Sequence, residues 1–226
     1  MDWEALYTAG QLWTMVHNYT LSMFNKENPD RPLAETQQAY ARFVSPLLQK
    51  VEEPARSAIL QSILHECEAF GWETAKEEIV SFIVNNNIIP EPENPFIGRM
   101  MQGYRTYTGQ PAPLIPGVSN LSNSFIVFYE SGCGNCEKEL DKLKQLYPRL
   151  QESGWTVISV SADTDKEVYN RHSRSFPWEN KLCDYKGFEG EIFSTYGITA
   201  TPTIFLVGKE RKVTGRYANL EETGVF

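Results

Sequence analysis

Two short, nearly continuous apolar runs with an amphipathic segment between them constrain the fold of this chain most strongly. The runs are FIVFYE (125–130) and WTVISVS (155–161), and both have the composition of buried parallel strands. The segment between them, 135–152, places its leucines on one helical face. A strand, a helix and a second strand in this order predict a βαβ unit.

The same half of the chain contains a second helix and a hairpin. We expect the helix over about 166–175, after the second strand. TIFLVG (203–208) and KVTGRY (212–217) are β-rich runs separated by three residues, which predicts an antiparallel hairpin. The predicted fold is therefore an α/β domain with a central mixed sheet flanked by helices.

The first half of the chain predicts an all-α domain. Apolar residues recur at threes and fours from residue 2 to about 85, and strand-like alternation is missing. Breakers divide this region into helices: the Asn28 to Pro32 stretch, Pro54, and Gly71. Two further helices are expected over about 74–84 and 95–107.

A change of composition marks the passage between the two halves. Six prolines lie between residues 88 and 117. We therefore divide the chain into an α-helical domain (1–90), a proline-containing linker with a short helix (91–109) and an α/β domain (110–226).

Net charge and hydropathy exclude several kinds of partner. A formal charge of −8 and a pI near 5.0 disfavour nucleic acid, and no basic run reverses this locally. No window is apolar enough for a membrane span. Asp2 and Glu4 stand where a signal peptide carries positive charge, so a protein working outside the cytoplasm would have had its export signal removed from this chain.

The chemistry of the chain centres on SGCGNCEKEL (131–140), where Cys133 and Cys136 lie at the predicted strand-to-helix junction. A thiol at a helix start faces unpaired N–H groups and the positive end of the helix dipole, which favours a nucleophilic thiolate. Cys136, one turn later, can form a disulfide with Cys133. The alternatives are a metal clip and two inert thiols. Zinc would need two more ligands, and no second Cys-x-x-Cys or His pair exists to supply them.

Two further positions are candidates near this pair. Glu139 borders the apolar stripe of the helix, so it either accepts and returns the proton of Cys136 or is a solvated residue paired with Lys142. In GITATPTIF (197–205), Pro202 precedes a strand and cannot lie within a ladder. A cis Thr201-Pro202 bond would explain this position, the alternative being an ordinary trans proline at a sheet edge.

Together these segments resemble the thioredoxin fold, and more narrowly the TlpA-like thiol-disulfide oxidoreductases of the bacterial cell envelope. The resemblance covers about residues 108–220 and consists of four segments in the family's order: QPAPLIPG (110–117), FIVFYESGCGNCEKEL (125–140), VISVSAD (157–163) and YGITATPTIFLVGKERKV (196–213). The helical first half resembles N-terminal domains attached to some envelope thioredoxin-like proteins.

The resemblance implies a role for each matching residue. Cys133 would be the exposed nucleophile and Cys136 the resolving thiol. Glu139 matches the glutamate that the subfamily places after its second cysteine. Substrate would contact the residues between the cysteines and the proline segment: Gly134, Asn135, Thr201 and Pro202. No cofactor is expected beyond a redox-active Cys133–Cys136 disulfide.

Three departures from the family pattern affect the site. The dipeptide between the cysteines, Gly134-Asn135, lacks the frequent proline, so the redox potential does not follow from the resemblance. Gly132 replaces a common tryptophan before the first cysteine, which suggests a more open site. Val127 stands where thioredoxins keep a buried aspartate, so that proton relay is missing and more weight falls on Glu139.

The predicted function is reduction of protein disulfides in the periplasm or cell envelope, with a redox partner protein that renews the thiols. The alternatives are a copper(I)-binding module built on the cysteine pair and a non-catalytic scaffold. We expect Cys67 to be a buried structural thiol and Cys183 to be non-catalytic. His172 is expected to be solvated, the rival being a copper ligand beside the pair.

Overall fold

A computed structural model describes residues 2–25, 33–88 and 95–225 of the chain. Its contacts divide the chain into two units, Met1–Met101 and Gln102–Phe226. This division falls inside the range 91–109 that the sequence assigns to a linker, while the finer domain boundaries stay a prediction. None of the helices in the described ranges is long and apolar enough to cross a membrane.

The first unit is helical, as its 3.6-residue periodicity predicts. The helices described there are α1 (Trp3–Thr8), α2 (Leu12–Asn25), α3 (Leu33–Lys50), α4 (Ala55–Phe70), α5 (Glu73–Asn85) and α6 (Pro95–Gly103), whose last two residues lie beyond Met101. Gly71 ends α4 in the left-handed conformation, at φ 66°, which glycine adopts without strain. The predicted break between Asn28 and Pro32, and Pro90 and Pro92 of the proline run, lie outside the described residues.

Two helix boundaries before the sheet differ from the sequence prediction. The first apolar stretch forms two helices rather than one, because the chain turns at Gly10, whose φ is 67°. The helix predicted to run to residue 107 ends at Gly103, and Tyr104–Thr106 form a tighter 3₁₀ turn.

The second unit contains a five-stranded mixed sheet among the described residues. Its strands are β1 (Ser124–Tyr129), β2 (Thr156–Ser161), β3 (Asn180–Leu182), β4 (Thr203–Val207) and β5 (Val213–Tyr217), in the order β3-β2-β1-β4-β5. β1, β2 and β3 run parallel, whereas β4 and β5 are antiparallel to their neighbours. The predicted fold class, a mixed sheet with flanking helices preceded by a helical domain, is confirmed.

Three helices accompany this sheet: α7 (Gly134–Glu152), α8 (Lys166–Ser173) and α9 (Glu191–Thr195). The sequence predicts α7 and α8 but neither α9 nor β3. These two elements are five and three residues long, which is too short for a hydrophobic period to develop.

Alternate residues of each central strand pack on opposite faces of the sheet. Ile126 and Phe128 of β1 join one apolar cluster, with Phe193 and Tyr196 from the α9 region. The other face packs against α7 through these buried residues: Phe125, Val127, Tyr129, Cys136, Leu140 and Leu143. The packing of α7 therefore carries Cys136 into the core directly beneath the strand-to-helix junction.

Loss of the α7 core contact should loosen this half of the molecule. Leu140 is fully buried, so Leu140→Ala should lower the free energy of unfolding by about 3 kcal/mol, through lost transfer energy and a cavity. Hydrogen exchange of β1 and β2 peptides measures this change. The control Leu114→Ala removes a side chain that is 71% exposed and should change it by less than about 0.5 kcal/mol. Equal protection in both variants would contradict the assigned core.

Candidate active site

Cys133 is the N-cap of α7. Its backbone is extended (φ −72°, ψ 114°), and its Sγ accepts a hydrogen bond from the Cys136 N–H at 3.4 Å. A side-chain acceptor at this position takes one of the N–H groups that a first helical turn leaves without an intrahelical partner. The thiol that the sequence singles out therefore lies at the positive end of the α7 dipole.

The two thiols of the pair differ in burial. All four cysteines are present as thiols, so the geometry is that of the reduced pair. Cys133 is partly exposed, whereas Cys136 is fully buried. Burial raises the pKa of Cys136 to about 12, and the hydrogen bond with Cys133 contributes to the rise. A partner's disulfide can thus reach Cys133 from solvent, while Cys136 stays protonated at neutral pH.

The loop before Cys133 is open, as the glycine at position 132 suggested. Gly132 is exposed, has a φ of 81°, and a Cβ placed on it would meet no atom within 4 Å. Only glycine adopts this φ readily, so the backbone conformation explains the residue. Gly134 and Asn135, the two residues between the cysteines, are also exposed. Their predicted contact with substrate stays a prediction.

Thr201 and Pro202 lie beside the cysteine pair. The Thr201-Pro202 peptide bond is cis, and the Thr201 carbonyl oxygen lies 3.9 Å from Cys133 Sγ. Both residues are partly exposed. The fold therefore brings the cysteine pair and the Thr201-Pro202 segment, separated by more than sixty residues in sequence, to one edge of the sheet.

Glu139 combines features of both readings that the sequence left open. Its side chain pairs with Lys142, Oε1 to Nζ 2.8 Å, as the structural reading proposed. The residue is nevertheless only 7% exposed, and its Oε2 accepts the Leu220 N–H at 2.8 Å. Val127 is buried in the apolar cluster that includes Cys136. Glu139 is thus a buried carboxylate one helical turn from Cys136, and its proposed proton transfer stays a prediction.

His172 is not solvated, and that prediction is wrong. Only 18% of its side chain is exposed, and its Nε2 lies 2.8 Å from Oε1 of Glu137. Glu137 in turn accepts the Gly132 N–H at 3.1 Å. The local sequence RHSR is polar and gives no sign of burial, since the partner lies 35 residues earlier on α7. The His172–Glu137 pair was missed in the sequence. It connects α8 to α7, and through Glu137 to the loop before Cys133.

The other two cysteines lie apart from the pair's hydrogen bonds. Cys67 is buried in the helical unit, as predicted, and burial raises its pKa. Cys183 is partly buried, and its Sγ donates to the backbone oxygen of Asp163 at 3.2 Å. In the described part of the chain, no group of three His, Cys, Asp or Glu side chains is placed to hold a metal ion.

The sheet order, the cysteine pair at the start of α7 and the adjacent cis proline define a thioredoxin-like domain. Residues 124–213 match the model of a family described as thioredoxin-like (Thioredoxin_8). A thioredoxin-like protein from Bacteroides caccae has the same fold, with a TM-score of 0.55 at 16% identity, covering 84% of this chain and 75% of that one.

Curated relatives extend this likeness to particular proteins. The chain is 34% identical over 89 residues to the thiol-disulfide oxidoreductase ResA of Bacillus thuringiensis subsp. konkukian, and 37% identical over 93 residues to that of Bacillus anthracis. Each match covers 39% of this chain and 50% of the relative, so the chain spans about half the length of the curated relatives it matches. These matches confirm the resemblance stated for the C-terminal half.

The difference in burial predicts an order of alkylation. At pH 7.5 iodoacetamide should modify Cys133 first and leave Cys136 unmodified, because Cys136 is buried and its pKa is raised to about 12. Peptide mass spectrometry after timed quenching measures both rates. As pH rises toward that value, the Cys136 thiolate fraction and its alkylation rate should increase. Modification of Cys136 before Cys133 at pH 7.5 would contradict the site geometry.

Proposed function

We propose that this chain is a thiol-disulfide oxidoreductase that reduces disulfides in proteins through Cys133 and Cys136. The observation that carries the proposal is the position of Cys133 Sγ, partly exposed at the start of α7 and hydrogen-bonded to the Cys136 N–H. The ResA relatives, which are named as thiol-disulfide oxidoreductases, support the same chemistry. The pair would need no bound cofactor.

In the first step, the Cys133 thiolate attacks one sulfur of a substrate disulfide. A Cys133–substrate disulfide forms, the substrate S–S bond breaks, and the second substrate sulfur leaves as a thiolate that takes a proton. The Thr201 carbonyl next to Cys133 Sγ and the exposed backbone of Gly134 and Asn135 offer hydrogen-bonding groups to an extended substrate segment. We propose that these residues and Pro202 form the substrate-binding surface.

In the second step, Cys136 attacks Cys133 Sγ. The mixed disulfide breaks, the Cys133–Cys136 disulfide forms, and the first substrate sulfur leaves as a thiolate, so two electrons pass from the pair to the substrate. Cys136 must lose its proton first, which its raised pKa opposes. We propose Glu139 as the acceptor, since each of its hydrogen-bonded oxygens retains a further lone pair.

Direction and location follow from the resemblance to envelope oxidoreductases. We propose that the protein works as a reductase in the periplasm or cell envelope, and that a dithiol partner protein reduces the Cys133–Cys136 disulfide after each turnover. Export can be tested by fractionating cells of the native host that express the protein from its own gene. Recovery only with cytoplasmic markers would contradict this location.

Reduction of insulin by the purified chain, with dithiothreitol as donor, tests the activity. Cys133→Ser should reduce the rate to the uncatalysed background, because the partly exposed thiol is lost and the remaining thiol of the pair, Cys136, is buried. Pre-reduced Cys136→Ser, mixed with insulin in the absence of dithiothreitol, should trap a mixed disulfide visible by mass spectrometry. The matched control, Cys183→Ser, removes a partly buried thiol outside the pair and should keep the wild-type rate. Equal rates for the wild type and Cys133→Ser would end the proposal.

The role of Glu139 makes a separate prediction. Glu139→Gln keeps an acceptor for the Leu220 N–H but cannot take up a proton, so release of the mixed disulfide should slow by about tenfold to a hundredfold. Stopped-flow measurement of mixed-disulfide decay isolates this step. The control Glu221→Gln alters the other carboxylate bound to Lys142. The Glu221 side chain is 65% exposed, so this change should leave the decay of the mixed disulfide unchanged. Wild-type decay in Glu139→Gln would refute proton transfer by this residue.

A further inference from the structure

A buried carboxylate on the loop after β2 holds the loop before Cys133. Asp163 is 6% exposed. Its Oδ1 accepts the Ser131 N–H at 3.1 Å, and its Oδ2 accepts the hydroxyls of Ser131 at 2.6 Å and Ser161 at 2.7 Å. The Asp163 N–H donates to the Ser161 hydroxyl at 3.0 Å, which closes a small ring of hydrogen bonds.

The sheet explains why these groups meet. β1 and β2 are parallel, with Tyr129 opposite Ser161, so the chain leaves both strands at the same edge. Ser131 follows the end of β1 and Asp163 follows the end of β2, which places the carboxylate beside the β1–α7 loop. The contact is therefore built by the sheet register and does not depend on a mobile surface side chain.

Ser131 is two residues before Cys133, and its position limits where the thiol can lie. The next amide, Gly132 N–H, donates to Glu137, and the Cys133 N–H donates to the Glu130 carbonyl at 3.3 Å. Each of three consecutive N–H groups thus has an acceptor. Ser131 is held by two bonds to one ionisable group, the Asp163 carboxylate, from the loop after β2.

Burial gives these bonds their strength. Hydrogen bonds to a carboxylate are stronger than those between neutral groups, and water has little access to compete at this site. The path from Asp163 to the thiol is short, because only Gly132 separates Ser131 from Cys133. A loop free to move would carry Cys133 Sγ away from the Cys136 N–H.

We propose that Asp163 is a positioning residue for the cysteine pair: through Ser131 it fixes the β1–α7 loop so that Cys133 lies at the start of α7. It does not contact the reacting sulfurs. The inference rests on the proposed function for its biological meaning, but the chemical reactivity of Cys133 tests it independently of any substrate.

The test is the rate of Cys133 alkylation by iodoacetamide in the full chain at pH 7.5. Asp163→Ala should lower this rate by about tenfold, since a Cys133 Sγ displaced from the Cys136 N–H and the start of α7 loses the groups that favour its thiolate. Ser131→Ala, which loses only the hydroxyl bond, should fall between this variant and the wild type. Asp163→Asn keeps an acceptor for the Ser131 N–H, and the two hydroxyls can turn to accept from its amide, so it should restore most of the rate.

A matched control separates positioning from stability. The Asp184 side chain also accepts two backbone N–H groups, from Lys186 at 3.1 Å and Glu191 at 3.3 Å, but none from residues 131–133. Asp184→Ala should lower stability and leave Cys133 alkylation at the wild-type rate.

Two outcomes would overturn the inference. One is a folded Asp163→Ala whose Cys133 reacts as fast as in the wild type. The other, which decides the matter if Asp163→Ala does not fold, is a wild-type rate in Ser131→Ala. Slow alkylation in the variants together with no insulin reduction by the wild type would leave the positioning role standing and remove only the proposed function.

Discussion

The hydrogen bond from the Cys136 N–H to Cys133 Sγ is the interaction on which the site depends. It forms because Cys133 ends the β1–α7 loop as a helix cap, and a cap has its side chain turned back over the first turn. The same geometry gives the sulfur a donor, the favourable end of the helix dipole and a neighbour one turn away. Loss of the strand, the turn or the helix would therefore remove the surroundings that favour a thiolate at Cys133.

Cys133 and Cys136 differ in burial, and this difference distinguishes two otherwise similar thiols. α7 packs against the sheet through Leu140 and Leu143, and that stripe includes Cys136 but not Cys133. The packing that stabilises the helix is thus what raises the pKa of Cys136. In the proposed mechanism Cys136 is the resolving thiol, and the base that we propose for it, Glu139, lies on the border of the same stripe.

The sequence predicted the elements whose apolar pattern extends over five or more residues. It also predicted the site residues that are close to one another in sequence. β1 and β2 are nearly continuous apolar runs, α7 has a helical period, the β4–β5 hairpin is a pair of β-rich runs, and the cysteine pair is visible as two cysteines with two residues between them. α9 and β3 were missed because they are short and depend on packing against other elements. Position 172 was misread because two of its contacts, Glu137 on α7 and Tyr129 on β1, are distant from it in sequence.

Asp163 shows what further reasoning from sequence could have found. Once two strands are read as parallel neighbours, the residues that follow them must emerge at one edge, and VISVSAD ends in a carboxylate next to a serine-bearing loop. The register of Tyr129 with Ser161, rather than any motif, sets this contact. A polar residue directly after a buried parallel strand is therefore informative even when its own segment carries no recognisable signature, because the sheet determines its neighbours.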